Sequence, residues 1–156
     1  MNLKLEQTLS VWMQIGGVPF HRGLSKDVDA NICVIGAGTA GMTCAYLVLK
    51  EGRAVIVVDD GLIGGGQTER TTAHITNALD DHYTENERWH GWEGARFAAE
   101  SYTAAIDCIE EMVNCEKTVC DFDRLDGYLF HSFDESPNLF EKQLQASRRA
   151  GMTQVE

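Results

Sequence analysis

The feature that most constrains the fold is a glycine-rich segment, Gly36–Gly41, whose glycines have the spacing G-x-G-x-x-G. An apolar run, residues 30–35, precedes this segment, and apolar residues at helical spacing follow it as far as Glu51. A second apolar run, residues 54–59, ends at Asp59. Strand, helix and strand within about 30 residues form a βαβ unit. The pattern therefore predicts an α/β fold of the Rossmann type, with a parallel sheet covered by helices and both strands buried.

Each position of the glycine-rich segment has a physical reason in a dinucleotide-binding turn. Gly36 permits the tight turn out of the strand, and Gly38 lets the backbone approach a pyrophosphate. Gly41 allows the helix to pack closely on the sheet. The N–H groups of Thr39 and Ala40 have no partner within the helix, and they point toward a bound anion with the helix dipole behind them. The segment therefore predicts a phosphate cradle; a glycine-rich turn without a ligand is the alternative.

The carboxylate of Asp59 follows the second strand, where it can accept hydrogen bonds from both hydroxyls of an adenosine ribose. A carboxylate there disfavours a 2′-phosphate, so NADP is the least favoured ligand. Ala45 and Gly52 extend the glycine pattern in a layout typical of FAD-binding rather than NAD-binding proteins. The loop Gly64–His74 is longer than a plain strand-to-helix connection, and long ordered loops are usually functional.

From Ile32 to about Leu144 the chain resembles the N-terminal part of FAD-dependent oxidoreductases of the glycine/D-amino-acid oxidase type. Within that family it most resembles bacterial members with a C-terminal Rieske iron–sulfur domain. The segments that carry the resemblance are Val34–Gly41, Asp59–Gly66, Arg70–His74 with Asn77–Asp80, Gly94–Arg96 with Ala99–Ser101, and Leu125–Phe130.

The resemblance implies FAD as the cofactor, with its pyrophosphate on the glycine turn and its adenosine ribose on Asp59. The family often has Glu at the position of Asp59, and Asp is one methylene shorter. The segment from Arg70 to Ala73 is implied to lie along the flavin half. His74 is expected to hydrogen-bond near the isoalloxazine; covalent attachment to the flavin is the alternative. The candidate cofactor-binding residues are Gly36, Gly38, Thr39, Ala40, Gly41, Asp59, Asp60, Gly66, Arg70, Thr71, Thr72, Ala73 and His74.

By the same resemblance, the complete protein would oxidise a small amine or amino-acid-like substrate by hydride transfer to flavin. No catalytic residue is identifiable in this chain. The Cys-x-His and Cys-x-x-His pairs of a Rieske cluster do not occur, and the histidines lack metal-site spacing, so no metal site is predicted.

The charge balance constrains the partners. Lys and Arg number 13 and Asp and Glu 24, a formal charge of −11, which disfavours nucleic acid. No apolar stretch is long enough for a membrane span, and none resembles a signal peptide. The five cysteines form no Cys-x-x-Cys pair, a pattern typical of reduced thiols, so a cytoplasmic location is expected.

Residues 1–29 are expected to be an irregular leader in which Trp12 and Phe20 pack onto the domain as a strap. Residues 30–156 are expected to be an FAD-binding region truncated before the substrate domain. Such an incomplete domain should expose apolar surface and be inactive alone. Two alternatives stay open: a non-catalytic subunit that completes its fold with a partner chain, and a fragment of an NAD-binding dehydrogenase.

The second half of the sequence has patterns typical of helices and short strands. Thr84 and Glu87 resemble a capping box at a helix start, with interruptions near Gly91 and Gly94. The buried face of the following helix is expected to include Phe97, Ser101, Ala105, Cys108 or Ile109, and Met112. Short strands are predicted at 122–125 and 128–131, and a helix is predicted from Ser136-Pro137 to Gly151. Residues 152–156 are expected to begin a strand.

Overall fold

The computed structural model describes residues 9–13, 18, 21–130 and 137–156. The chain divides into two compact units, Met1–His74 and Ile75–Glu156. Phe20, His131 and Ser136, to which the sequence assigned roles, lie outside the described residues.

The first unit contains a βαβ motif. Its elements are strand β1 (Ile32–Ile35), helix α1 (Thr39–Lys50) and strand β2 (Val55–Val58). The strands pair in parallel, with Ile32 opposite Val55 and Ile35 opposite Val58. Their β-branched residues fit the pleated surface of a sheet. The predicted α/β class with parallel strands around a helix is therefore confirmed.

Helix α1 ends where the sequence predicted. Gly52 has a φ of 72°, a left-handed conformation that glycine adopts without a steric cost. Its N–H donates to the Leu49 carbonyl, and the Arg53 N–H donates to the Val48 carbonyl. These two bonds form a Schellman motif, which satisfies carbonyls that the helix leaves unpaired.

The prediction that both strands are buried is wrong for this chain. Ile35 is 87 % exposed and Ile32 is 39 % exposed, and β2 is half-buried. Helix α1 packs against both strands, but the described residues of this unit provide no second helix layer over the sheet. An apolar strand is buried on both faces only when both faces are covered. The expected exposure of apolar surface is confirmed.

A short N-terminal segment contacts the loop that follows β2. Residues Val11–Met13 form one turn of 3-10 helix. The indole Nε1 of Trp12 donates to the Thr71 carbonyl at 2.8 Å, and the Ser10 hydroxyl donates to the Glu69 carbonyl. Trp12 therefore packs onto the unit as the expected strap.

The second unit is built on two helices, α2 (His82–Glu116) and α3 (Pro137–Arg149). Its core contains four alanines and one aromatic residue: Tyr83, Ala95, Ala99, Ala146 and Ala150. Small side chains let the two helices approach closely. Helix α2 is interrupted at Gly91, whose φ of 71° and ψ of 172° are not helical. The predicted interruption is confirmed there, whereas Gly94 is helical.

The predicted capping box at Thr84 is wrong, because α2 begins two residues earlier at His82. The Thr84 N–H donates to the Gln143 side-chain oxygen at 3.2 Å, so α3 supplies the partner for this N–H group. Glu87 does not reach back to Thr84. It pairs with Arg149, at 2.7 Å between Oε2 and Nη2.

The predicted buried face of α2 is also wrong at its first three positions. Phe97 is 60 % exposed, and Ser101 and Ala105 are exposed. The face that includes Ala95 and Ala99 is buried instead. The close approach of α3 requires small residues on the facing side of α2, so the alanines are buried there and the larger Phe97 is not. Farther along, Cys108, Ile109 and Met112 are half-buried.

The predicted strands at 122–125 and 128–130 are absent, and residues 152–156 are not a strand. A strand needs a neighbour for its backbone hydrogen bonds, and none pairs with these segments among the described residues. The Val155 carbonyl instead accepts from Arg148 Nη2 at 3.1 Å. The predicted stop at Gly151 is confirmed: its φ is 96°, and the Met152 N–H donates to the Ser147 carbonyl at 3.0 Å.

Across the described parts of the chain, every helix is too short or too polar to span a bilayer.

Candidate dinucleotide-binding site

The glycine turn lies at the carboxyl end of β1 and opens α1. The Gly36 N–H donates to the Val58 carbonyl at 2.8 Å, extending the sheet by one bond. Gly36 then turns with a φ of 103°. Gly38 is the N-cap residue of α1, and Thr39 is its first helical residue. Open α/β sheets bind ligands beyond the carboxyl ends of their strands, which is where this turn lies.

Helix α1 and strand β1 approach so closely at Gly41 that no side chain fits between them. A Cβ on Gly41 would lie 1.9 Å from the Gly36 carbonyl oxygen and 3.3 Å from Val34 Cγ1. This close approach keeps the first turn of α1 beside the turn out of β1. Gly41 is therefore a packing residue of the cradle.

The Asp59 carboxylate joins the glycine turn to the loop after β2. Its Oδ2 accepts from the Ala37 N–H at 2.6 Å, and its Oδ1 accepts from the Gly61 N–H at 2.7 Å. Both backbone donors hold the pKa of Asp59 below its ordinary value, and the Ala37 N–H has the larger effect. The side chain is exposed, and a carboxylate has about four lone-pair positions. It therefore retains acceptor capacity for a diol.

The two strand ends and Asp59 form an open depression. It is lined by Ile35, Gly36, Val58, Asp59 and Asp60. Asp60 therefore lies on its wall, as its place beside Asp59 predicts.

The loop after β2 folds back onto the glycine turn. The Gly64 N–H donates to the Ala37 carbonyl at 2.8 Å. Gly66 is exposed and has a φ of 65°. A single turn of 3-10 helix follows at Thr68–Arg70. The loop thus brings residue 68 next to the start of α1.

Sequence reasoning missed Thr68. The Thr39 N–H donates to the Thr68 hydroxyl at 3.0 Å, and the Thr39 hydroxyl lies 3.2 Å from the same oxygen. Thr68 belongs to the loop that the sequence marked as functional, and a hydroxyl residue between Gly66 and Arg70 was the available signal. Only the fold shows that this hydroxyl lies on the first N–H of α1.

The segment assigned to the flavin half is exposed. The Thr71 hydroxyl donates to the Thr68 carbonyl at 3.2 Å, which ties it to the 3-10 turn. Ala73 has a φ of 56°, a left-handed conformation that costs a non-glycine residue about 1 kcal/mol. Among the described residues, the side chains of Thr72 and His74 make no hydrogen bond to the glycine turn. The structure therefore assembles the adenylate half of the candidate set and leaves the segment from Arg70 onward at the surface.

The assembled residues fit an adenosine diphosphate group. Glycine backbone lies where a pyrophosphate must approach, a twelve-residue helix starts there, and a carboxylate with free acceptor positions stands beside it. In the described residues, no three histidine, cysteine or acidic side chains cluster as a metal site would require.

Comparisons with known proteins identify the family of this chain. The family model described as DAO, FAD dependent oxidoreductase, covers residues 31–156. YhfW of Bacillus subtilis, which carries the name of a Rieske 2Fe-2S iron-sulfur protein, is 28 % identical over 90 % of this chain and 28 % of its own length. Gamma-glutamylputrescine oxidoreductase of Escherichia coli is 24 % identical over 85 % of this chain and 31 % of its own length.

A third relative, OrdL of Haemophilus influenzae, is named as an oxidoreductase. It is 25 % identical over 85 % of this chain and 31 % of its own length. The chain thus spans less than a third of the length of these relatives. No solved structure matches it. Because the family match covers most of the sequence, the chain belongs to the DAO family of FAD-dependent oxidoreductases.

Proposed function

We propose that residues 30–156 are the FAD-binding region of a flavin-dependent oxidoreductase, preceded by a leader at 1–29. The observation that carries the proposal is the Asp59 carboxylate, 2.6 Å from the Ala37 N–H inside the glycine turn. This contact supports the proposal, because it holds beside the start of α1 a carboxylate that can accept hydrogen bonds from ribose hydroxyls. FAD, when bound, supplies a ring system that accepts a hydride.

The residues of this chain bind and orient the cofactor. The Gly36–Gly41 turn receives the pyrophosphate, with the N–H groups of Thr39 and Ala40 as donors. Asp59 accepts from the ribose hydroxyls, and Asp60 and Gly66 border the same space. Arg70 lies along the flavin half of the cofactor.

The remaining candidates lie toward the flavin half. Thr71, Thr72 and Ala73 line it, and His74 hydrogen-bonds near the isoalloxazine. Flavin that is released on denaturation agrees with a hydrogen-bonded His74, whereas flavin that stays with the chain favours covalent attachment.

The name of one relative supports the proposed substrate class. One of them carries a name that refers to an amine derivative, gamma-glutamylputrescine. A small amine or amino-acid-like substrate is therefore the proposed class for the whole protein. Since this chain spans less than a third of its relatives, the expected turnover of the chain alone is weak or absent.

The test is equilibrium binding of FAD, ADP and NAD to the purified chain, followed by calorimetry. We expect FAD and ADP to bind and NAD to bind more weakly. Asp59→Asn should weaken binding at least tenfold, because a charge-assisted pair of hydrogen bonds to the diol is lost. Asp27→Asn removes an exposed carboxylate outside the cradle and is the matched control. Preference for NAD, or equal binding by Asp59→Asn, would contradict the proposal.

A second function, a subunit that completes its fold with a partner chain, is favoured by the exposed apolar residues. Ile35, Leu125 and Phe130 are each more than 80 % exposed. Sedimentation of the purified chain distinguishes the two: a stable monomer with one FAD per chain argues against the partner.

A further inference from the structure

A side chain of the loop after β2 contacts the first backbone N–H group of α1. Thr68 Oγ1 lies 3.0 Å from the Thr39 backbone N and 3.2 Å from the Thr39 hydroxyl. A Cβ on Gly38 would lie 3.1 Å from the same oxygen. The Thr68 hydroxyl is therefore directly above the glycine turn, on the helix N–H group that the cradle offers to a ligand.

A phosphate oxygen accepts from an N–H group at the same distance as this hydroxyl does. Two oxygens cannot share that position. We propose that Thr68 is an internal plug of the cradle, whose hydroxyl leaves the Thr39 N–H when a dinucleotide pyrophosphate binds. The plug rests on the proposed function, because it presumes that the cradle receives a pyrophosphate.

The plug is linked to the N-terminal strap through the 3-10 turn that it opens. The Glu69 carbonyl accepts from the Ser10 hydroxyl, and the Thr71 carbonyl accepts from Trp12 Nε1 at 2.8 Å. A movement of Thr68 therefore changes the surroundings of the Trp12 indole. Trp12 is the tryptophan of the first unit, so its fluorescence reports on this movement once Trp89 and Trp92 are replaced.

The plug predicts a counter-intuitive effect on affinity. Ligand must compete with the closed state, so the apparent dissociation constant is the intrinsic one divided by the open fraction. Thr68→Val keeps the shape of the side chain and removes its hydroxyl. Loss of a hydrogen bond of ordinary net strength should raise the open fraction, and tighten ADP binding, about fivefold.

The test uses the full chain with Trp89→Phe and Trp92→Phe, titrated with ADP by calorimetry and by Trp12 fluorescence. Thr68→Val should bind ADP about fivefold more tightly, and Thr68→Ser should restore the original affinity because it restores the hydroxyl. Thr118→Val, at an exposed threonine of the other unit, is the matched control and should change nothing. Without ligand, the Thr39 amide should exchange with solvent faster in Thr68→Val than in the parent protein.

The outcomes separate the two proposals. ADP binding by the parent protein with equal or weaker binding by Thr68→Val overturns the plug and leaves the cradle standing. Weaker ADP binding by Thr68→Val would indicate that the Thr68 hydroxyl binds the phosphate directly. Absence of saturable ADP binding to every variant overturns the cradle and the plug together. Tighter binding by Thr68→Val with a Trp12 signal on titration supports both.

Discussion

Gly41→Ala tests whether the close contact between helix and strand holds the cradle together. The added Cβ would lie 1.9 Å from the Gly36 carbonyl oxygen and 3.0 Å from its carbon. Carbon–oxygen contacts are ordinarily about 3.3 Å or longer, so α1 and β1 must separate by roughly 1 Å or more. The obstacle is backbone, which cannot rotate away as a side chain can.

Overpacking of this kind costs about 1–3 kcal/mol, and a clash with backbone belongs at the upper end. Alanine has a higher helix propensity than glycine, which offsets this loss of stability by up to about 1 kcal/mol. The expected net loss is therefore about 2 kcal/mol. With a urea dependence of about 1–3 kcal/mol per molar, the unfolding midpoint should fall by roughly 1 M.

The assay is urea unfolding followed by circular dichroism, with ADP binding measured on the same samples. Gly23→Ala is the matched control, since a Cβ there meets no atom within 4 Å. Its free energy of unfolding should stay within about 0.5 kcal/mol of the parent value. If Gly41→Ala and Gly23→Ala unfold at the same urea concentration, the argument from close approach is refuted.

Three further predictions concern the hydrogen bonds of single side chains. The carboxyl pKa of Asp59, followed by NMR, should lie below its ordinary value of about 4, because two N–H donors favour the charged form. Its contribution to stability is therefore present above about pH 4 and lost as the pH falls through the lowered value; a pKa at or above the ordinary value contradicts this. Arg149 donates two hydrogen bonds to the Glu87 carboxylate and so lowers its pKa. Glu87→Gln should therefore lower the free energy of unfolding by about 1 kcal/mol at neutral pH. In acid, where Glu87 is protonated, the two proteins should be equally stable. Tyr83→Phe should lower the free energy of unfolding by about 1–2 kcal/mol, because the buried hydroxyl donates to the Asn77 carbonyl at 2.6 Å; an unchanged midpoint would show that the bond contributes nothing.

The βαβ unit could be predicted from sequence because its signals are local. Glycine spacing, two apolar runs and the stop at Gly52 each act within a few residues. The predicted and observed ends of α1 and both strands agree within two residues. The resemblance to the FAD-dependent family includes this unit and extends to later segments, and the family match covers residues 31–156.

The second unit was harder to predict because tertiary contacts decide its details. Gln143 caps the Thr84 N–H, and no local pattern announces a partner 59 residues away. The choice of Ala95 and Ala99 over Phe97 as the buried face depends on how closely α3 approaches. The apolar segments 122–125 and 128–130 have strand composition, but composition supplies no neighbouring strand.

Within the candidate site, the sequence identified Asp59 and the glycine turn but not Thr68. Asp59 follows from its position at a strand end, which the motif defines. The position of Thr68 depends on how the loop from Gly61 folds back, through the bond from Gly64 to Ala37. Loop geometry of this kind is set by several backbone bonds together, so residue types alone did not predict it.

The central claim is tested most directly by an NMR titration of the isotope-labelled chain with ADP. We expect saturable shifts of the Gly38, Thr39 and Ala40 amides and of the Asp59 carboxyl, all with one dissociation constant. Saturable shifts confined to residues outside Gly36–Gly41 and Asp59 would contradict it.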